Sequence, residues 1–134
     1  MAGVQDGHTR KLDRSQVSQS LFLARNRVSL VVVEGHGAGN EHLLERSGMK
    51  LGRGPDVDIV IADDSMSREH VAFDAVSDGF RIRDLGSTNG MTVNGSRVAA
   101  ADLKHGDRIG LGEHIFQFLI EKRERVGTYN LSES

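Results

Sequence analysis

The chain has 134 residues, 37% of them apolar and 27% charged, with a net charge of −2, which suits one folded domain with short flanks and gives bulk electrostatics no pull toward nucleic acid. Cysteine is absent, which excludes disulfides, thiol catalysis and thiolate metal sites and fits a reducing compartment. With no tryptophan, 4% aromatics and sixteen glycines against one proline, the core is expected to be built mostly from Val, Ile and Leu in strands joined by tight turns.

Residues 1 to 26 are polar and rich in Gln, Ser and Arg. Val17, Leu21, Phe22 and Arg25 give only a weak helical pattern, so a flexible arm is expected. The basic residues Arg10, Lys11, Arg14, Arg25 and Arg27 lack the interleaved aromatics of a nucleic-acid binder, and Arg10, Lys11 and Arg14 are not followed by the apolar stretch of a secretory signal. The longest apolar run, Leu30 to Val33, is far below the ~20 residues that span a bilayer. The reading is a cytoplasmic chain with no membrane or nucleic-acid partner.

From Arg27 the pattern changes. Val28 to Val33 is an apolar, β-branched strand, and Gly35, Gly37 and Gly39 form a loop. This Gly-x-Gly-x-Gly lacks the spacing and the following helix of a dinucleotide loop. Short strands are expected at 42–45, 49–51 and 59–61, the last one buried. Residues 71–76 and 80–83 flank Ser77-Asp78-Gly79 as a hairpin, and 91–93 and 97–98 flank Asn94-Gly95, the strongest hairpin signal in the chain. After a turn at 103–106, residues 108–111 and 114–120 flank Gly112-Glu113 as a further hairpin. In the last strand, His114, Phe116, Phe118 and Ile120 share one face. Many short strands with closely spaced turns predict an antiparallel sandwich or barrel. Residues 122 to 134 are expected to be a tail or a linker.

Three loop segments carry the chemistry: Leu51-Gly-Arg-Gly54, Ser65-Met-Ser-Arg-Glu-His70 and Gly86-Ser-Thr-Asn-Gly90. They supply an arginine fork, hydroxyls, an amide and glycine backbone, a set suited to an oxyanion and an adjacent peptide main chain. They offer no nucleophile–base–acid set. The histidines His8, His36, His42, His70, His105 and His114 are scattered and form no pair at metal-ligand spacing. Asp63-Asp64 reads as a turn that caps its loop. No metal and no cofactor are expected.

The order glycine–arginine, serine-x-x-histidine, threonine–asparagine–glycine and asparagine–glycine resembles the forkhead-associated (FHA) domain family. The apolar neighbours Ile59-Val-Ile61, Val71, Phe73 and Val93 match as well, and the resemblance covers roughly residues 28 to 121. It implies an all-β antiparallel sandwich of about eleven strands, with the domain at 27–121 and the binding loops at one end. It also implies a phosphothreonine-dependent protein–protein interaction module, not an enzyme, acting downstream of a Ser/Thr protein kinase. By that resemblance Arg53 meets the phosphate with its planar fork of donors, Ser67 and Thr88 add hydroxyl or N–H donors, and Asn89 holds the peptide backbone. Arg68 adds a backbone N–H and a second positive charge, or is a solvated arginine. Gly52, His70, Gly90, Asn94 and Gly95 support the loops, with His70 a brace rather than a base.

One position departs from the acidic-preferring members of the family. Some of these carry an arginine two residues before the binding serine, and here that residue is Ser65. The alternative function is a regulatory or oligomerisation domain of a larger enzyme or transcription regulator acting through phospho-independent contacts, since Glu121 to Arg125 suits a linker to further domains of a longer chain. A third reading is capture of phosphorylated Thr9 or Thr128 from a neighbouring chain.

Overall fold

The computed structural model describes residues 13–123. Thr9, Thr128 and most of the expected arm and tail lie outside them. Among the described residues, one helix, α1 (Arg14–Arg25), is followed by eleven strands: β1 (Asn26–Glu34), β2 (Glu41–Leu43), β3 (Met49–Gly52), β4 (Ile59–Val60), β5 (Val71–Val76), β6 (Gly79–Asp84), β7 (Met91–Val93), β8 (Ser96–Arg97), β9 (Ala100–Asp102), β10 (Arg108–Leu111) and β11 (His114–Lys122). They form a six-stranded sheet in the order β2-β1-β11-β10-β7-β8 and a five-stranded sheet in the order β4-β3-β5-β6-β9. The β3–β4 pair is parallel and the other assigned pairs are antiparallel.

The two sheets pack face to face. Val28, Leu30 and Val32 of β1 and Phe116 and Phe118 of β11 are buried on one inner face, and Leu51, Phe73, Phe80 and Ile82 on the other. Phe80 and Phe118 meet edge to face across the layers, with ring centroids 6.4 Å apart at 73°. The core is mostly Val, Ile and Leu, as composition leads one to expect, and four phenylalanines, Phe73, Phe80, Phe116 and Phe118, are fully buried within it. The expected alternation of β11 is present: His114, Phe116 and Phe118 are buried, while Ile115, Gln117 and Leu119 are only partly so.

Three local expectations are corrected. Part of the expected flexible arm is the helix α1. Asp13 caps it, accepting the Gln16 N–H at 2.8 Å while the Gln16 side chain accepts the Asp13 N–H at 3.1 Å, a reciprocal pair that satisfies two otherwise orphan donors. Phe22 and Leu23 then pack on the core, and Arg123 N–H donates to the Arg25 carbonyl at 2.8 Å. The stretch at 59–61 is a two-residue edge strand rather than a buried one, with Ile59 and Ile61 inward and Val60 51% exposed. Finally, Ala100–Asp102 forms a strand that was not expected, because β6 offers it an edge to pair with. Among the described residues no helix is long and apolar enough to cross a membrane.

Candidate functional site

Strand β3 delivers Arg53, and it does so by passing unusually close to the β4–β5 loop. A Cβ on Gly52 would lie 2.2 Å from the Arg68 carbonyl oxygen and 2.8 Å from that of Ser67, so only glycine permits the approach. Two backbone bonds hold it: Arg53 N–H to the Ser67 carbonyl at 2.8 Å and Gly54 N–H to that of Arg68 at 3.1 Å. The Arg53 Nε donates to the Met66 carbonyl at 3.0 Å. This anchors the guanidinium at its inner edge, and its terminal nitrogens have no hydrogen-bond partner among the described residues.

His70 ties this loop to the next. Its ring is fully buried. Nδ1 accepts the Ser67 N–H at 3.0 Å, and Nε2 lies 2.8 Å from the Gly90 carbonyl. An amide N–H can only donate and a carbonyl can only accept, so the ring carries its proton on Nε2 and a lone pair on Nδ1. Its backbone carbonyl also accepts the Leu85 N–H at 2.9 Å. The Ser67 Oγ accepts the Thr88 N–H at 3.0 Å, which leaves the hydroxyl proton free to donate outward. The Asn89 side chain donates to the Ser65 carbonyl at 2.9 Å.

The β6–β7 loop is shaped by Asp84. Its carboxylate accepts the Gly86 N–H at 2.9 Å, the Ser87 N–H at 3.0 Å and the Ser87 hydroxyl, and Ser87 Oγ in turn accepts the Gly90 N–H at 2.9 Å. Burial is the largest single influence on Asp84 and pushes its pKa up, but the Ser87 and Gly86 donors together outweigh it and leave the carboxyl below its ordinary value of 3.8. The folded state therefore prefers the ionised form. The resulting stabilisation is complete above the unfolded aspartate pKa of about 3.9 and is lost as pH falls through the lower folded value. In an acid titration followed by NMR, the Gly86 and Ser87 amide shifts are expected to hold steady to about pH 4 and to move only below it. A midpoint at or above the ordinary aspartate value would contradict this account.

Ser65, the departure noted in the sequence, is turned inward. It donates its hydroxyl to Asp63, and its Oγ accepts the Glu113 N–H at 3.0 Å. The Asp63 carboxyl is held below its ordinary value, chiefly by that hydroxyl and by the Ser65 N–H, against an opposing effect of burial. Asp63 thus closes its own loop, and Ser65 fastens the loop to the β10–β11 turn.

Arg53, Ser67, Arg68, Thr88 and Asn89 all line one open pocket at this end of the sandwich. Gly52 and His70 lie directly behind it. Gly90 has φ +75°, and a Cβ there would sit 2.4 Å from the Arg97 guanidinium, so it serves a close approach as well as a turn. Asn94 and Gly95 are not brought to the pocket, which corrects their expected role in supporting the binding loops. With φ of 52° and 87° they form the β7–β8 turn, and Asn94 bonds Asp107 at 3.0 Å and the Arg108 N–H at 2.9 Å. The residues missed by sequence reasoning are Asp84 and Ser87. Their i, i+3 spacing, with Gly86 between them and Gly90 after, is a local signal for a side-chain-closed turn. Among the described residues no group of three side chains could hold a metal.

Comparison with known proteins gives the following. The FHA domain family matches residues 49–112. The glycogen accumulation regulator GarA of Mycobacterium tuberculosis is 39% identical over 90 residues, covering 67% of this chain and 56% of GarA. The oxoglutarate dehydrogenase inhibitor of Corynebacterium jeikeium is 37% identical over 95 residues, covering 71% of this chain and 66% of that protein. The chain thus spans little more than half the length of the GarA proteins it matches. A solved structure from a structural and functional study of phosphothreonine-dependent FHA domain interactions superposes with a TM-score of 0.64 at 31% identity, over 69% of this chain and 95% of that one.

Proposed function

Since this chain belongs to the forkhead-associated family, we propose that it is a non-catalytic, cytoplasmic reader of phosphothreonine in proteins that a Ser/Thr kinase has modified. The observation that carries the reading is the convergence of Arg53, Ser67 and Thr88, from three separate loops, on one open pocket. A phosphate brings about −1.5 to −2 charges and three acceptor oxygens. The free terminal nitrogens of Arg53 answer two of those oxygens as a fork, and the outward Ser67 hydroxyl and the Thr88 side chain answer the third. Asn89 spends one N–H on Ser65, and its carbonyl and second N–H are left for the peptide backbone. Arg68 adds a second cation at the rim.

The same geometry argues against proton chemistry. His70 meets Ser67 through the backbone N–H and not the hydroxyl, and both ring nitrogens are engaged. A nucleophile–base pair needs the opposite arrangement. The recognition unit is read as residues 27–121, buttressed by α1, with 122–134 as a tail or linker.

The deciding experiment is a calorimetric titration of the purified chain with a degenerate phosphothreonine peptide library and with the same library unphosphorylated. Binding is expected with the first and not with the second. Equal binding to both would replace this reading with phospho-independent docking.

A further inference from the structure

The charge layout of the pocket says something about the residues around the phosphothreonine. Besides Arg53 and Arg68, the pocket is lined by Asp64 and Glu69. The other carboxylates on the β4–β5 and β6–β7 loops and their edges are committed. Asp63 is closed onto Ser65, Asp84 onto Ser87 and Gly86, and Glu69 lies 3.4 Å from the Lys50 ammonium. Asp64 is exposed and has neither a hydrogen bond nor an ion pair among the described residues. It stays unpaired although Arg53, whose Nε is held by the Met66 carbonyl, lines the same pocket. Ser65, next in the chain, points inward and adds no charge of its own. The pocket therefore presents two unneutralised cations and, apart from them, one unneutralised anion.

Resting on the phosphothreonine reading above, we propose that Asp64 is a specificity residue that selects a lysine or arginine side chain within three residues of the phosphothreonine. A peptide bearing phosphate and a nearby cation matches both signs of the pocket at once. An acidic side chain at the same position meets Asp64 with like charge and finds no arginine at Ser65 to compensate. A solvent-exposed ion pair is weak, so the discrimination of Lys over Glu at the responsive position is expected to be about three- to tenfold. It should shrink as salt is raised from low to high, because the pair is screened.

The test uses the full chain and phosphothreonine peptides of otherwise fixed sequence, with Lys, Ala or Glu scanned through the three positions on each side. Affinities are measured by fluorescence anisotropy for the parent, Asp64→Asn and Asp64→Lys. The expected result is one position at which Lys outranks Glu, loss of that ranking in Asp64→Asn, and its reversal in Asp64→Lys. A ranking that persists in Asp64→Asn, or phosphopeptides that bind with no Lys–Glu difference at any position, overturns the assignment of Asp64 while leaving phosphothreonine recognition intact. If phosphorylated and unphosphorylated forms of every peptide bind alike, the underlying reading fails and this one with it.

Discussion

Arg53→Ala lowers affinity for a phosphothreonine peptide by about 10- to 100-fold, the factor that corresponds to roughly 1.5–3 kcal/mol for a hydrogen bond to a charged group. The side chain is exposed and is anchored by a single bond from Nε to the Met66 carbonyl. Its removal takes one donor from the Met66 carbonyl and no apolar side chain from the core. Melting is expected to change by no more than a few degrees, so the loss is read as lost recognition. Arg53→Lys should recover only part of the affinity. An ammonium is a point charge, and it reproduces neither the planar fork nor the Nε anchor. Ser67→Ala should cost about tenfold. It removes both the outward donor and the acceptor of the Thr88 N–H, so the two substitutions are expected to be non-additive. Calorimetry at fixed ionic strength measures all three. Parent-like affinity in Arg53→Ala would mean that the phosphate sits elsewhere.

His70→Ala is expected to destabilise the domain by about 2–5 kcal/mol, the sum of a buried cavity and two backbone groups left without partners. For a domain of this size that corresponds to a drop of about 10–20 °C in melting temperature. The groups affected are the Ser67 N–H and the Gly90 carbonyl, on two different binding loops, so phosphopeptide affinity should fall as well, even well below the new melting point. A surface histidine would show neither effect. A catalytic histidine would show no change in melting. Thermal melts and peptide titrations on the same sample separate these outcomes, and parent-like values in both would remove His70 from its bracing role.

Some of the fold is legible because its causes are local. The alternation of His114, Phe116 and Phe118 with Ile115 and Gln117 follows from the two-residue strand period. Asn94-Gly95 turns the chain because both residues tolerate positive φ. Helix α1 is less legible. Only Phe22 and Leu23 reach the core, which is too short a stripe to stand out, and the real signal is the reciprocal Asp13–Gln16 cap. Strand β9 is scarcely legible at all. Ala100-Ala101-Asp102 has low strand propensity and pairs because the edge of β6 is there to receive it.

The sequence by itself determined which groups are available: one glycine–arginine, one serine–histidine and one threonine–asparagine segment, each in a turn between strands, with no base or metal set beside them. Only the tertiary structure decided which of them share a pocket. Convergence depends on hydrogen bonds between segments up to 48 residues apart, such as Glu113 to Ser65, Asn89 to Ser65 and His70 to Gly90. It also depends on the bare Cα of Gly52 lying against the Arg68 carbonyl. Those contacts are set by sheet order and register, which are collective properties of the packed core, and no local pattern encodes them. For the same reason Asn94 and Gly95, plain in the sequence, brace a different turn, and Ser65, marked there only by the arginine it lacks, is the fastening point of three loops.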